Sequence, residues 1–173
     1  MDIVKPEVAV RPINVERLTS ESFAPFGQLI APIEDGVLFG PDDAQLDLSR
    51  GTPRLYIMRL PRKGLRFQQI TRHRQVTQCL ASVGGKPWFI AVAPAHKLDD
   101  PDAVPALDDI KAFKIPGNVA IKLHRGSWHA GPFFEDDEIS FFNLELADTN
   151  EVDHQSCYLD KQYGTAFEFR VTM

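Results

Sequence analysis

Gly117-Asn-Val-Ala-Ile-Lys-Leu-His-Arg-Gly-Ser-Trp-His129 is a strand-like alternation that runs straight into two imidazoles, a guanidinium and an indole. Side chains alternate across a strand, so Val119, Ile121 and Leu123 share one surface while Ala120, Lys122 and His124 share the other. Gly126 permits a sharp turn that aims Trp128 and His129. A histidine near a strand end is most often merely hydrogen-bonded, so a functional reading of this stretch needs partners elsewhere in the chain.

The chain has 173 residues and a formal net charge of -5, with a sequence pI near 5.5. That length fits a single domain over residues 1–173, with 1–12 as an irregular lead-in carrying Pro6 and Pro12, and it is enough for a sizeable core. The acidic balance argues against nucleic acid, because a phosphate-binding surface needs a basic excess that only Arg62 to Arg74 offers. A small anionic ligand stays compatible. Cys79 and Cys157 are far apart and form no CxxC pair, so neither a thiolate zinc site nor a disulfide framework is expected, and the cytoplasm is the expected setting. The N-terminus has no basic start followed by an apolar run, and no stretch of about 18 apolar residues occurs, so no membrane partner is expected.

Outward from the opening stretch, the pattern is of short strands. Leu18 to Phe23 reads as one helical turn capped by Thr19 or Ser20 and stopped by Pro25. Phe26 to Ile30 reads as a strand, and Pro32 to Asp47 as a long surface loop. Arg54–Leu60 and Arg66–Ile70, around the turn Pro61–Gly64, are expected to form a hairpin. So are Gln78–Val83 and the continuously apolar Lys86–Ala93, around Gly84-Gly85. A helical turn is expected at Ala106 to Ile110, followed by strands at Ala112–Ile115, Val119–His124, Glu138–Ala147 and Ala166–Thr172. This spacing predicts an all-β, mainly antiparallel barrel or sandwich with one or two short helices.

Two further segments carry candidate chemistry. In Thr71-Arg-His-Arg-Gln-Val-Thr-Gln78, His73 and Gln78 lie five apart with Arg72 and Arg74 flanking the imidazole; the plain alternative is a solvated basic turn. In Ile139-Ser-Phe-Phe-Asn-Leu-Glu-Leu-Ala147, Phe141, Asn143 and Glu145 alternate onto one face. A carboxylate there is either on an exposed face or inside a cavity, where it needs a partner.

Thr71–Gln78 and Gly117–His129 together resemble the two histidine motifs of the cupin superfamily in a degenerate form. Thr71 stands for the first histidine, His73 for the second, Gln78 for the glutamate, and His124-Arg-Gly-Ser-Trp-His129 for the second motif. The resemblance implies a jelly-roll barrel whose metal ligands would be His73 and His129, with an amide in place of the anionic oxygen. More specifically, Ile70-Thr-Arg-His-Arg, Thr77-Gln78, Lys86–Ala93, Leu107 to Phe113 and His124-Arg-x-x-Trp-His129 resemble the ureidoglycolate lyase family over roughly residues 13 to 160. That resemblance implies a homodimer that splits (S)-ureidoglycolate into glyoxylate and urea in allantoin catabolism, and for some members a divalent metal, nickel.

The residue types suit that chemistry. Ureidoglycolate is a carbinolamine, and its elimination needs a base for the hydroxyl proton and an acid for the departing nitrogen. His73, His124 and His129 are the proton-transfer candidates, with Glu145 placed to orient a histidine. The substrate carboxylate calls for a fixed cation, Arg59 or Lys122. Gln78 and Asn143 suit the urea end, and Trp128 lies beside them in the motif. The alternatives are a metal-dependent cupin oxygenase built on His73, His129 and one more ligand, and a non-enzymatic cupin that binds a small ligand.

Overall fold

The computed structural model describes residues 7–171. In chain order its elements are β1 (Ala9–Glu16), α1 (Ser20–Phe23), β2 (Gly27–Ile30), β3 (Pro53–Pro61), β4 (Arg66–Phe67), β5 (Gln69–Arg72), β6 (Gln78–Ser82), β7 (Trp88–Ala93), a 3-10 turn at Leu107–Asp109, β8 (Lys111–Ile115), β9 (Ala120–Leu123), β10 (Trp128–Phe133), β11 (Glu138–Leu146), α2 (Thr149–Val152), β12 (Gln155–Tyr158), α3 (Leu159–Tyr163) and β13 (Thr165–Arg170). The chain is mostly β, as the alternation predicts, with three short helices rather than one or two. The strands form two sheets curled into a half-barrel, consistent with a cupin-like fold. One sheet runs β12-β5-β10-β7-β8-β1-β13-β4 and the other β2-β9-β6-β11-β3. Pairing is antiparallel except at β1, which runs parallel to β13 and β8.

Three expectations are corrected. The lead-in at residues 7–12 runs into a strand, while residues 1–6 lie outside the described part of the chain. Pro12 is tolerated because it falls in Ala9–Asn14, which pairs with β13, whereas β8 joins only at Val15 and Glu16; a proline has no amide to give a second neighbour. Neither expected hairpin forms. The Pro61–Gly64 turn leads from β3, which pairs with β11, to β4, which pairs with β13. The Gly84-Gly85 turn leads from β6, between β9 and β11, to β7, between β10 and β8. Both turns reverse the chain, but they carry it from one sheet to the other.

The reason is visible in β7. All six of its residues are buried, so it needs a packing layer on each face. Trp88, Ile90 and Val92 join Leu80, Phe113, Ile115, Ile121, Leu123 and Phe141 between the sheets. Phe89, Ala91 and Ala93 face the other way, into a second cluster with Ile70, Trp128, Ala130 and the aromatic group Phe67, Phe133, Phe167 and Phe169. Only a central strand of the larger sheet offers both layers. The one-turn helix α1 is closed by a capping box, with Thr19 Oγ1 accepting from Ser22 N and Ser22 Oγ accepting from Thr19 N, both at 2.9 Å, and it drives Phe23 into the inter-sheet core.

Candidate active site

The turn after β9 is built around Gly126. Its φ of +80° suits glycine, and a Cβ there would collide with the Leu98 side chain. Its amide donates to the His73 carbonyl at 2.7 Å, so the two motif segments are tied together through the backbone. His73 is held from the other side. Its Nδ1 donates to the Asp153 carbonyl at 2.6 Å, and the Asp153 carboxylate accepts from the amides of Arg74 at 2.7 Å and Gln75 at 2.8 Å. This fixes the tautomer and leaves His73 Nε2 with the free lone pair. On β10, His129 pairs with Val92 and Thr71 and so faces the inter-sheet space. The His73 and His129 ring centroids lie 5.1 Å apart.

His73, Val76, Gln78, Leu123, His124, Ser127 and His129 line one tightly closed cleft, too narrow as it stands to admit a water molecule. Gln78 links it to a polar network inside the barrel. Its Nε2 donates to Asn143 Oδ1 at 3.1 Å and to Glu145 Oε2 at 3.3 Å. Tyr56 Oη donates to Glu145 Oε1 at 3.2 Å and accepts from Asn143 Nδ2 at 3.0 Å, and the Arg54 guanidinium stacks 3.8 Å over the Tyr56 ring. Glu145 is therefore on the enclosed face, 1% exposed. Burial raises its pKa above the ordinary carboxylate range, against the Tyr56 hydrogen bond and the charge of Arg54.

Two buried polar atoms at the cleft have no partner: Gln78 Oε1, an acceptor, and His129 Nδ1, which accepts in one neutral tautomer and donates in the other. Leaving an acceptor buried and unpaired costs about 1–3 kcal/mol. The imidazoles are also kept neutral. Burial lowers the pKa of His129 to about 3, helped by the neighbouring His73. Burial lowers His73 as well, against its bond to Asp153.

The other residues expected at the site are distributed differently. His124 lines the cleft, but its Nε2 donates to the Ala24 carbonyl at 3.0 Å and its Nδ1 meets Lys122 Nζ at 3.0 Å. Lys122 points away from the inter-sheet core into a separate cavity beneath the Ala31–Gln45 loop. Arg59 pairs with Ser140, is exposed, and lies on the outer face of β3, one residue out of phase with Met58. Trp128 is fully buried behind the larger sheet, with the Arg72 guanidinium 4.8 Å over its ring, because it alternates with His129 along β10. Glu145 meets Tyr56 and Gln78 rather than a histidine.

Arg54, Tyr56, Asp153 and His154 join the neighbourhood without having been singled out in the sequence. Arg54 and Tyr56 could have been found from the period of β3, which places them on one face. Asp153 and His154 carry no such signal, because β12 brings them in from 80 residues away. The His154 ring is 5.6 Å from that of His73. It lines a wider cavity of about 360 Å³ with Lys63, Gln69, Thr71 and His129, so His129 borders both the cleft and the open space.

Comparison with known proteins adds three observations. The family model described as ureidoglycolate lyase matches residues 10–166. Curated proteins named ureidoglycolate lyase are similar to the chain: one from Pseudomonas syringae pv. tomato at 32% identity over 69% of this chain and 74% of its own, and one from Burkholderia mallei at 28% over 69% and 74%. A solved dTDP sugar isomerase from Desulfovibrio desulfuricans G20 overlaps 77% of this chain and 81% of its own at 12% identity and a TM-score of 0.44.

Proposed function

The chain belongs to the ureidoglycolate lyase family, and from that premise we propose that it splits (S)-ureidoglycolate into glyoxylate and urea, as a carbon–nitrogen lyase of the amidine-lyase class acting in allantoin breakdown. The observation that carries this reading is the pair of unpartnered buried polar atoms, Gln78 Oε1 and His129 Nδ1, beside a histidine whose tautomer is fixed. A ureido group offers N–H donors and a carbonyl acceptor together, so it can serve the Gln78 oxygen and either neutral tautomer of His129.

The chemistry then follows from the bonds that change. His73 Nε2 takes the hydroxyl proton of the carbinol carbon, the C–O bond becomes the aldehyde C=O, and the C–N bond breaks. The same imidazole returns its proton to the departing ureido nitrogen, so protons balance and neutral urea leaves. Arg54, rather than Arg59 on the opposite face of β3, is the cation assigned to the substrate carboxylate, because its guanidinium, though exposed, stacks on Tyr56 and its charge acts on Glu145. Gln78 and Asn143 orient the urea end, and Glu145 holds both through the network.

A divalent metal is the alternative to that proton transfer, because an ion held by His73 Nε2 would occupy the lone pair that the base uses. Among the described residues no group of three His, Cys, Asp or Glu could hold an ion. The set that would hold one is His73, His129 and the Gln78 amide oxygen, two imidazoles kept neutral by burial and an unpartnered oxygen. Nickel bound there would supply a Lewis acid for the substrate oxygens.

The same reading places the enzyme in the cytoplasm as a homodimer. Cys79 and Cys157 are both free thiols, and none of the described helices is long and apolar enough to cross a membrane. The outer face of the smaller sheet exposes Leu55, Ile57 and Phe142 at 68%, 57% and 44%, an apolar strip suited to a second copy.

Incubation with (S)-ureidoglycolate, following glyoxylate and urea with and without chelator, tests the activity and the metal together. Release of both products in the presence of chelator supports proton transfer by His73 alone. Loss with chelator and return with nickel supports the metal. No glyoxylate under either condition overturns the assignment.

A further inference from the structure

Lys122 is 4% exposed, yet no carboxylate lies within salt-bridge distance of its ammonium among the described residues. Its hydrogen-bond partner is His124 Nδ1 at 3.0 Å. Because His124 Nε2 donates to the Ala24 carbonyl, Nδ1 carries the lone pair and the imidazole is neutral. The other titratable neighbour is Cys79, whose thiol burial pushes up to about 11, leaving it uncharged near neutral pH. The result is a buried amine with one neutral partner, whose charged form burial disfavours and leaves with two ammonium protons uncommitted. Burying an ion without a counter-charge is costly, and proteins rarely keep one unless something supplies the opposite charge.

The space around it is built to receive that charge. Lys122 and His124 border a cavity of about 520 Å³ on the face of β2 and β9 opposite the inter-sheet core, within the 300–1,000 Å³ range common for small-ligand sites. Gly27 makes the floor possible, since a Cβ there would collide with the Lys122 carbonyl. The wall is laid down by the loop after β2. Gln28 Nε2 donates to the Asp43 carbonyl at 3.0 Å and Gln28 Oε1 accepts from Gln45 N at 2.8 Å, which holds that loop over the sheet. Leu29, Ala31 and Ile33 give the cavity an apolar side, and Asp42 stands on its wall.

We propose that this cavity is a second site, separate from the His73–His129 cleft, which binds a small organic carboxylate on the Lys122 ammonium. The carboxylate completes the ion pair that the fold leaves open, and the apolar wall takes its carbon skeleton. His124, which borders both this cavity and the cleft, gives the site a route to influence turnover. The inference extends the proposed function without depending on it, because occupancy can be read by binding alone.

The test uses oxalate and glyoxylate as probes in thermal-shift and calorimetric titrations of the full chain. Arg54→Met is the background that silences carboxylate binding in the proposed active site. In that background both probes are expected to bind and raise Tm, and adding Lys122→Met is expected to weaken binding at least tenfold and abolish the shift, while Lys122→Arg retains part of it. Lys122→Met alone is expected to fold and to melt at or above the wild-type temperature, since it removes a buried charge. Binding that survives Lys122→Met, or no binding in the Arg54→Met background, overturns the second site whether or not the chain proves to be a ureidoglycolate lyase. If Lys122→Met fails to fold, loss of probe-dependent protection of Lys122 against reductive methylation in the Arg54→Met protein overturns it equally.

Discussion

The Nδ1 of His73 donates to the backbone carbonyl of Asp153 at 2.6 Å, across a separation of 80 residues. The Asp153 side chain meanwhile accepts from the two amides that follow His73. One residue thus fixes both the ring and the backbone of the turn that presents it. Asp153→Ala removes the two amide acceptors and is expected to cost about 1–3 kcal/mol of stability. Its kcat should fall while KM holds, and Asp153→Asn, which keeps one acceptor oxygen, should recover part of both. Denaturant unfolding and steady-state kinetics on the two variants check this, and an Asp153→Ala enzyme as stable and active as wild type would sink it.

Proton transfer and carboxylate anchoring should separate in the kinetics. His73→Ala should lower kcat by roughly 10²–10⁴-fold with substrate affinity largely kept. Arg54→Met should instead act mainly on KM, while Arg59→Met, on the exposed outer face, should leave both constants close to wild type. The reverse pattern between Arg54 and Arg59 would return the anchoring role to Arg59.

Glu145 and the site histidines should pull stability in opposite directions with pH. The folded-state pKa of Glu145 is raised by burial, so its contribution is greatest below its ordinary value of 4.5 and is lost as pH rises toward the raised one. His129 is lowered from 6.5 to about 3, so stability is intact above 6.5 and falls as pH drops from there toward 3, because only the unfolded chain takes up the proton; His73 and His124 have the same sign. Urea midpoints measured from pH 3 to 8 should therefore show Glu145→Gln gaining on wild type as pH rises above 4.5, and His129→Gln gaining as pH falls below 6.5. Curves parallel to wild type would mean that neither group is held away from its ordinary pKa.

What the sequence disclosed follows from which interactions are local. Alternation over Ile121–Leu123 and Phe141–Glu145 gave the faces correctly, because side-chain direction is a property of the strand itself. The capping of α1 by Thr19 was legible for the same reason. Strand pairing was not. The Gly84-Gly85 turn looks the same whether β6 and β7 pair or separate into two sheets, and the choice is made by β7 needing apolar layers on both faces. Trp128 shares a motif with His129 but not a face, so adjacency in sequence misled where period two would have separated them. Asp153 and His154 were invisible, since nothing local announces that β12 lies beside β5.

The outer strip of the smaller sheet yields the last expectation. Leu55 and Ile57 on β3 and Phe142 on β11 point away from the core, and Ile57 pairs directly with Phe142. Three large apolar side chains side by side on an open sheet face are rarely left to water, and a two-fold axis through such a strip lets the same residues cover one another. Ile57→Glu places a carboxylate in the middle of the strip without touching the enclosed face, where Tyr56 and Met58 lie. The wild-type chain is therefore expected to sediment as a dimer at micromolar concentration and Ile57→Glu as a folded monomer with an unchanged far-ultraviolet spectrum. Because β3 also carries Arg54 and Tyr56, the monomer should lose some activity through a loosened strand, and this loss should appear in KM before kcat. A wild-type monomer, or an Ile57→Glu dimer, would show that this strip is not the surface on which two copies meet.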